Sequence, residues 1–223
     1  MFFSGSKRTS DREGTMTSKN ISFIIILFIL LGCAASPQRL YDSIESAESN
    51  DVAYQFSEAI KFGQANEIFP NEIVEFELGT GDPVIELANG HRYRTFYRLF
   101  EFKGSAGSMV SFKIKTSCKC ISVLRETIVY PVAYILDHKG NVLTSDPGEW
   151  ERKHDLILTG LTYKGLWEAK IAEDGEYFLL VAADNSFVGV ALGITYPLIL
   201  PDSPETYILS SPSGKVTVEM LAN

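Results

Sequence analysis

Val110, Phe112 and Ile114 alternate with Ser111, Lys113 and Lys115, and on a pleated strand that period of two sends the apolar set to one face and the polar set to the other. Cys118 and Cys120 continue the inward parity. The same alternation sets Val74, Phe76 and Leu78 against Glu75 and Glu77, and it returns from Lys215 to Leu221. Val84 to Leu87 is a short apolar run, Tyr93 to Phe102 an aromatic-rich strand, and Asn89-Gly90 between them a hairpin signal. Val129 to Leu136 is apolar at both parities, which marks an interior strand. It runs into the turn Asp137-His138-Lys139-Gly140-Asn141, with Val142-Leu143 as partner. Leu156 to Leu158, and then Trp167, Ala169 and Ile171, are two further strand candidates. Glu173-Asp174-Gly175 reads as a hairpin turn into Tyr177 to Val181, with Phe187 to Ile194 after it. Pro197, Pro201, Pro204 and Pro212 bar central strand from their stretch.

Roughly ten short strands, with turns every 8 to 12 residues or so and no amphipathic helices between them, predict an all-β fold over 71–223. The expected architecture is an antiparallel β-sandwich, jelly-roll-like, and not a parallel α/β sheet. Residues 33–70 are expected as a tether with short helical segments. Pro37 suits a helix's first turn, and Leu40, Ile44 and Ala47 follow at helical spacing. Asp51 to Phe62 has Tyr54, Phe56, Ile60 and Phe62 to bury, with Gly63 to end the segment.

Residues 1–32 have the layout of a secretory leader. Ile21 to Leu31 is an eleven-residue run in which only Ser22 is polar. At about 1.5 Å per residue it falls well short of the roughly 30 Å hydrocarbon core, so it reads as a signal-peptide core and not a span. Lys7, Arg8, Arg12 and Lys19 supply the positive flank, and Met16 offers a tidier start. Leu30-Leu31-Gly32-Cys33 followed by Ala34-Ala35-Ser36 resembles the lipobox of bacterial lipoproteins, in which the cysteine is the lipid-modified first residue of the mature chain. The resemblance implies lipidation at Cys33, with Ala34 in place of the aspartate that retains such proteins at the inner membrane. The expected address is the periplasmic face of the outer membrane, through a lipid anchor.

Charge narrows the partners. The chain carries 20 Lys and Arg against 28 Asp and Glu, net -8. Removing the leader takes away four basic and two acidic residues and leaves net -10. That is the wrong sign for neutralising phosphates, so nucleic acid is not an expected partner. The chain has no G-x-S-x-G, H-E-x-x-H or P-loop, and neither an enzyme activity nor a cofactor is expected.

Four groups of residues remain as candidate chemistry. Cys118 and Cys120, exported to an oxidising compartment, form a disulfide, stay as thiols or join a metal site for which no further ligands lie nearby. Residues two apart on an extended strand have Cα atoms about 6.6 Å apart, near the limit for a bridge, so a disulfide there needs a bend or bulge. His91, Arg92, Arg94 and Arg98 form the one basic cluster; it binds an anionic group or pairs with Glu72, Glu75, Glu77 and Glu86 on a neighbouring strand. Trp150 follows a Pro-Gly turn and Trp167 sits on a strand; each indole is either a face for a sugar ring or packing between sheets. Asp137-His138 and His154-Asp155 are neighbours that a strand points to opposite faces, so the histidines read as surface residues.

Three segments in order resemble the maltose operon periplasmic protein family. They are Gly90-His91-Arg92-Tyr93-Arg94-Thr95-Phe96 into Leu99, Pro131-Val132-Ala133-Tyr134-Ile135-Leu136-Asp137, and Leu200-Pro201-Asp202-Ser203-Pro204 with Ser213-Gly214-Lys215-Val216-Thr217-Val218. The Cys118 and Cys120 pair has no counterpart in that pattern. The resemblance implies a periplasmic accessory to maltodextrin-type carbohydrate uptake, without catalytic residues to carry over. A shorter likeness, Ala172 to Val181, is to pre-peptidase C-terminal β-sandwich domains. Two functions follow as expectations: a lipid-tethered, non-enzymatic sandwich that binds carbohydrate or a transport component, or an envelope structural or assembly lipoprotein whose partner is another protein.

Overall fold

The computed structural model describes residues 36–48, 52–119, 126–155, 160–195 and 206–222. The leader, Met16, Cys33 and Cys120 lie outside the described residues, as do Leu156 to Leu158 and Pro197, Pro201 and Pro204. Two helices come first, α1 (Pro37–Glu45) and α2 (Phe56–Phe62). The strands are β1 (Val52–Ala53), β2 (Asn66–Glu67), β3 (Ile73–Leu78), β4 (Val84–Asn89) and β5 (His91–Gly104). They continue with β6 (Met109–Lys119), β7 (Glu126–Ile128), β8 (Pro131–Asp137), β9 (Val142–Thr144) and β10 (Glu149–Asp155). The last five are β11 (Gly160–Lys170), β12 (Gly175–Ala183), β13 (Ala191–Thr195), β14 (Thr206–Ser210) and β15 (Gly214–Leu221).

The fold is an all-β sandwich. One sheet runs β1-β4-β5-β12-β8-β9 with β2 added on β5, and the facing sheet runs β10-β11-β6-β15-β3. A small third sheet, β13-β14-β7, completes the set among the described residues. The long pairs are antiparallel, whereas β1 on β4, β2 on β5 and β14 on β7 are short parallel additions. Between the two large sheets lie Phe100, Phe102, Ile135, Leu179 and Val181 from one side and Phe112, Ile114, Trp167, Val216 and Val218 from the other. Phe102 meets Phe112 edge-on across the interface, with ring centroids 4.9 Å apart.

The stretch expected as a tether is part of the body. Ser36 to Asn223 is one compact unit. Ser36 caps α1 by accepting from the Arg39 N–H at 3.3 Å, Pro37 fills the first turn, and Ile44 is buried in the intersheet core. Helix α2 covers the outer face of the first sheet, where Ile85, Tyr97, Leu99, Leu136 and Leu180 would otherwise face water. The Tyr97 hydroxyl donates to the Ala59 carbonyl at 2.9 Å and pins the helix there. Phe56 and Ile60, one turn apart, pack on this layer, while Tyr54 and Phe62, also expected to be buried, are exposed.

The Asn89-Gly90 hairpin forms, with Gly90 at φ +77°. The expected hairpin at Glu173-Asp174-Gly175 does not. Strand β11 pairs with β6 and β10, whereas β12 pairs with β5 and β8, so this turn carries the chain from one sheet to the other. The β5–β6 connection crosses beside it, and the two arches bond to each other. Gly107 N–H donates to Ile171 O and Ile171 N–H to Ser108 O, both at 2.9 Å, and Ala106 N–H donates to Asp174 Oδ1 at 2.7 Å. Asp174 thus serves a neighbouring arch, a role its turn chemistry shares with a hairpin residue.

Candidate functional site: an aromatic cleft

The antiparallel β10–β11 register sets Trp150 opposite Gly165, with Trp167 two residues further along the same face of β11. Gly165 supplies the space for both indoles. A Cβ there would lie 2.5 Å from the Trp167 ring and 2.7 Å from the Trp150 ring, so any side chain would push them away. The rings meet nearly at right angles, centroids 6.0 Å apart. Trp167 is buried, and its Nε1–H donates to the Ser145 carbonyl at 3.1 Å, which ties down the loop before β10. Trp150 stays 37% exposed. It stacks on Tyr163 at 5.7 Å and meets Tyr130 at 5.4 Å, and Tyr130 in turn meets Phe187 at 5.8 Å. These contacts hold the indole in one orientation.

A cleft of about 370 Å³ opens beside this cluster, walled by Tyr130, Tyr134, Trp150, Trp167 and Phe187 and by the loop Ser145-Asp146-Pro147, with Asp184 also in its lining. Asp184 follows β12 and caps the 3₁₀ turn Asn185–Phe187, accepting from the Ser186 N–H at 3.0 Å. It is 3% exposed. Burial first, and then the charge of Asp184, raise the pKa of Tyr93, Tyr130 and Tyr134, so these phenols are neutral at ordinary pH. Asp146 adds to the shift at Tyr134. The arrangement offers flat ring faces, acceptors at the floor and rim, and an apolar wall. It suits a ligand with a ring or methylene face and a few polar groups.

Trp150 is thus at the cleft and Trp167 in the core behind it. Cys118 is buried at the end of β6 and is disulfide-bonded. The other two cysteines lie outside the described residues, so the Cys118 to Cys120 pairing rests on the sequence. Of the basic cluster, Arg92 and Arg94 meet Glu86 at 3.6 and 3.9 Å. Arg94 also donates to the Glu45 and Ala47 carbonyls at the end of α1. Arg98 pairs with Asp82 at 2.5 Å and lies over the Phe76 ring, 4.6 Å from its centroid. Glu75, expected opposite the arginines, instead meets Lys215 at 3.2 Å. His91 and His138 are exposed, and the side chain of His154 is outside the described ones. Among the described residues no cluster of His, Cys, Asp and Glu is placed to hold a metal ion, and no described helix is long and apolar enough to cross a membrane.

Sequence reasoning found Trp150 and missed Tyr130, Asp184 and Phe187. These come from separate connections, and only Asp184-Asn185-Ser186 carries a local signal, that of an Asx turn.

The fold is a β-sandwich with an aromatic-lined cleft at one edge of its sheets. No family model matches the chain, and no curated protein matches it. Among solved structures it is similar to the pre-peptidase C-terminal domain of collagenase from Bacillus anthracis, at 11% identity over 71% of this chain and 95% of that chain. The TM-score is 0.31.

Proposed function

We propose that this protein is a lipid-anchored, non-enzymatic β-sandwich of the bacterial envelope that binds carbohydrate in the aromatic cleft. The observation that carries the reading is the Trp150 indole, held by Tyr130 and Tyr163 and left 37% exposed at the edge of an open cleft. A pyranose ring lays its axial C–H bonds on such a face while its hydroxyls reach flanking acceptors, here Asp184, Asp146 and the Ser145 hydroxyl. The lipobox resemblance at Cys33 supports an anchor at the periplasmic face of the outer membrane, and the family resemblance supports maltodextrins as the first ligands to try. Calorimetry with malto-oligosaccharides is expected to show binding that weakens at least about tenfold in Trp150→Ala, the loss of one good stacking contact. An unchanged affinity in that variant would overturn the assignment of the site. Globomycin, which blocks lipoprotein leader cleavage, is expected to accumulate the precursor; unchanged mobility on a gel would remove the anchor.

A second reading has one observation behind it. Strand β3 is the terminal strand of its sheet, and Ile73 on it and Phe69 just before it are exposed. A free edge with apolar side chains suits an envelope protein partner that adds a strand. Cross-linking from Ile73 in intact cells that returns only lipid would count against it.

A further inference from the structure

The polar side chains of the cleft carry one sign. Asp184 and Asp146 line it, and among the described residues no Lys, Arg or His does. Asp184 is the one that matters most, because it is 3% exposed and has no basic partner among the described residues. Asp82, by contrast, has Arg98 at 2.5 Å. Asp184 Oδ1 accepts from the Ser186 N–H and hydroxyl, both neutral donors. A buried carboxylate without a counter-charge is costly, and proteins place one where something else supplies the charge. The Tyr93 phenol, 3% exposed, lies beside Asp184 and is neutral as well, so no described group balances the charge.

The rings fit this charge. A cation held over the face of a Trp or Tyr is attracted by the ring quadrupole, more strongly once water is excluded. Tyr130, Trp150 and Phe187 surround the space from which Asp184 is reached. A neutral sugar would use the ring faces but leave the charge uncompensated.

We propose that the cleft takes an organic ammonium group carried on a sugar ring, of the kind an amino sugar presents, with the ring against Trp150 and the charge directed at Asp184. The proposal rests on the reading of the cleft as a carbohydrate site and names the class of sugar. The amine supplies the missing counter-charge, and its N–H groups donate to the Asp184 carboxylate.

The test is calorimetry on the intact protein with three oligosaccharides of equal length: one of glucosamine with free amines, its N-acetylated form, and a malto-oligosaccharide. At about pH 6, where such amines are protonated, the free-amine oligomer is expected to bind at least tenfold more tightly than either neutral one. Asp184→Asn keeps an oxygen for the Ser186 cap and removes the charge; it should bring the amine oligomer to the affinity of the neutral pair. Asp146→Asn, at the exposed loop, should lower the amine preference several-fold whether or not the first variant folds. Equal affinity for all three oligomers would overturn the proposal and leave the carbohydrate reading standing. A preference for the amine that survives both substitutions would overturn the placement at this cleft. Failure of all three oligomers to bind would overturn both readings.

Discussion

The two large sheets share one core and differ on their outer faces. Outside the sheet that contains β6 and β15, Lys215 meets Glu75 and Lys164 meets Glu151 in exposed cross-strand pairs, and Lys113 meets Glu219 in a half-buried one. Outside the sheet that contains β5 and β12, the corresponding positions are Tyr97, Leu99, Leu180 and Leu136, buried beneath α2 and the adjoining segment. Seven consecutive residues of β12, Tyr177 to Ala183, are buried, whereas β15 alternates strictly. A sheet covered on both faces loses the period of two, and one that meets water keeps it. The two short helices are therefore a structural layer of the sandwich.

The comparison predicts its own failure points. Leu180→Asp places a charge in the covered outer layer with no partner, and its cost is expected to be on the scale of the whole stability, about 5 kcal/mol or more, so the domain should not fold. Thr162→Glu, on the outer face of the other sheet and opposite Lys153, should change urea midpoints by less than about 1 kcal/mol. Comparable losses in the two variants would mean that both outer faces are alike. Removing the α2 side chains that touch the sheet, in Phe56→Ala with Ile60→Ala, is expected to cost about 2–3 kcal/mol, visible as a lower denaturant midpoint; a tether would show none.

The smallest effect is alkaline. Burial pushes the pKa of Tyr97, on the covered face, up to about 12. In the unfolded chain the phenol ionises near 10. A raised folded value gives stability that is complete below about pH 10 and is lost as pH climbs through about 12. Phenolate absorbance and circular dichroism should change together in that window. Tyr97→Phe should flatten the Tyr97 part of that loss, and an unchanged alkaline slope would show that the hydroxyl is not held in the buried layer.

Much of the strand pattern was legible in the residues. Alternation at Val110 to Lys115 and Lys215 to Leu221 marks strands with one wet face, and the two-parity run at Val129 to Leu136 marks an interior one. What escaped is set by distant contacts. The apolar residues of α2 are few, and only the sheet beneath them decides that Phe56 and Ile60 turn inward while Tyr54 and Phe62 stay out. Asp174-Gly175 announces a reversal, but turn chemistry is silent on which sheet receives the next strand. The cleft is the extreme case: an indole after a Pro-Gly turn can be noticed, yet its companions Tyr130, Phe187 and Asp184 converge only once β8, β10 and β12 have found their places.

The interlocked arches set limits on how this molecule can vary in length. Gly107 donates to Ile171, Ile171 donates to Ser108 and Ala106 donates to Asp174, so a residue inserted in either crossing would unseat bonds in both. The loop at Ser145 to Pro147 is fastened to the body at the Ser145 carbonyl through the Trp167 indole, and its far side borders the cleft. Insertions and deletions should be tolerated there, and they would reshape what the cleft admits while leaving the sandwich intact.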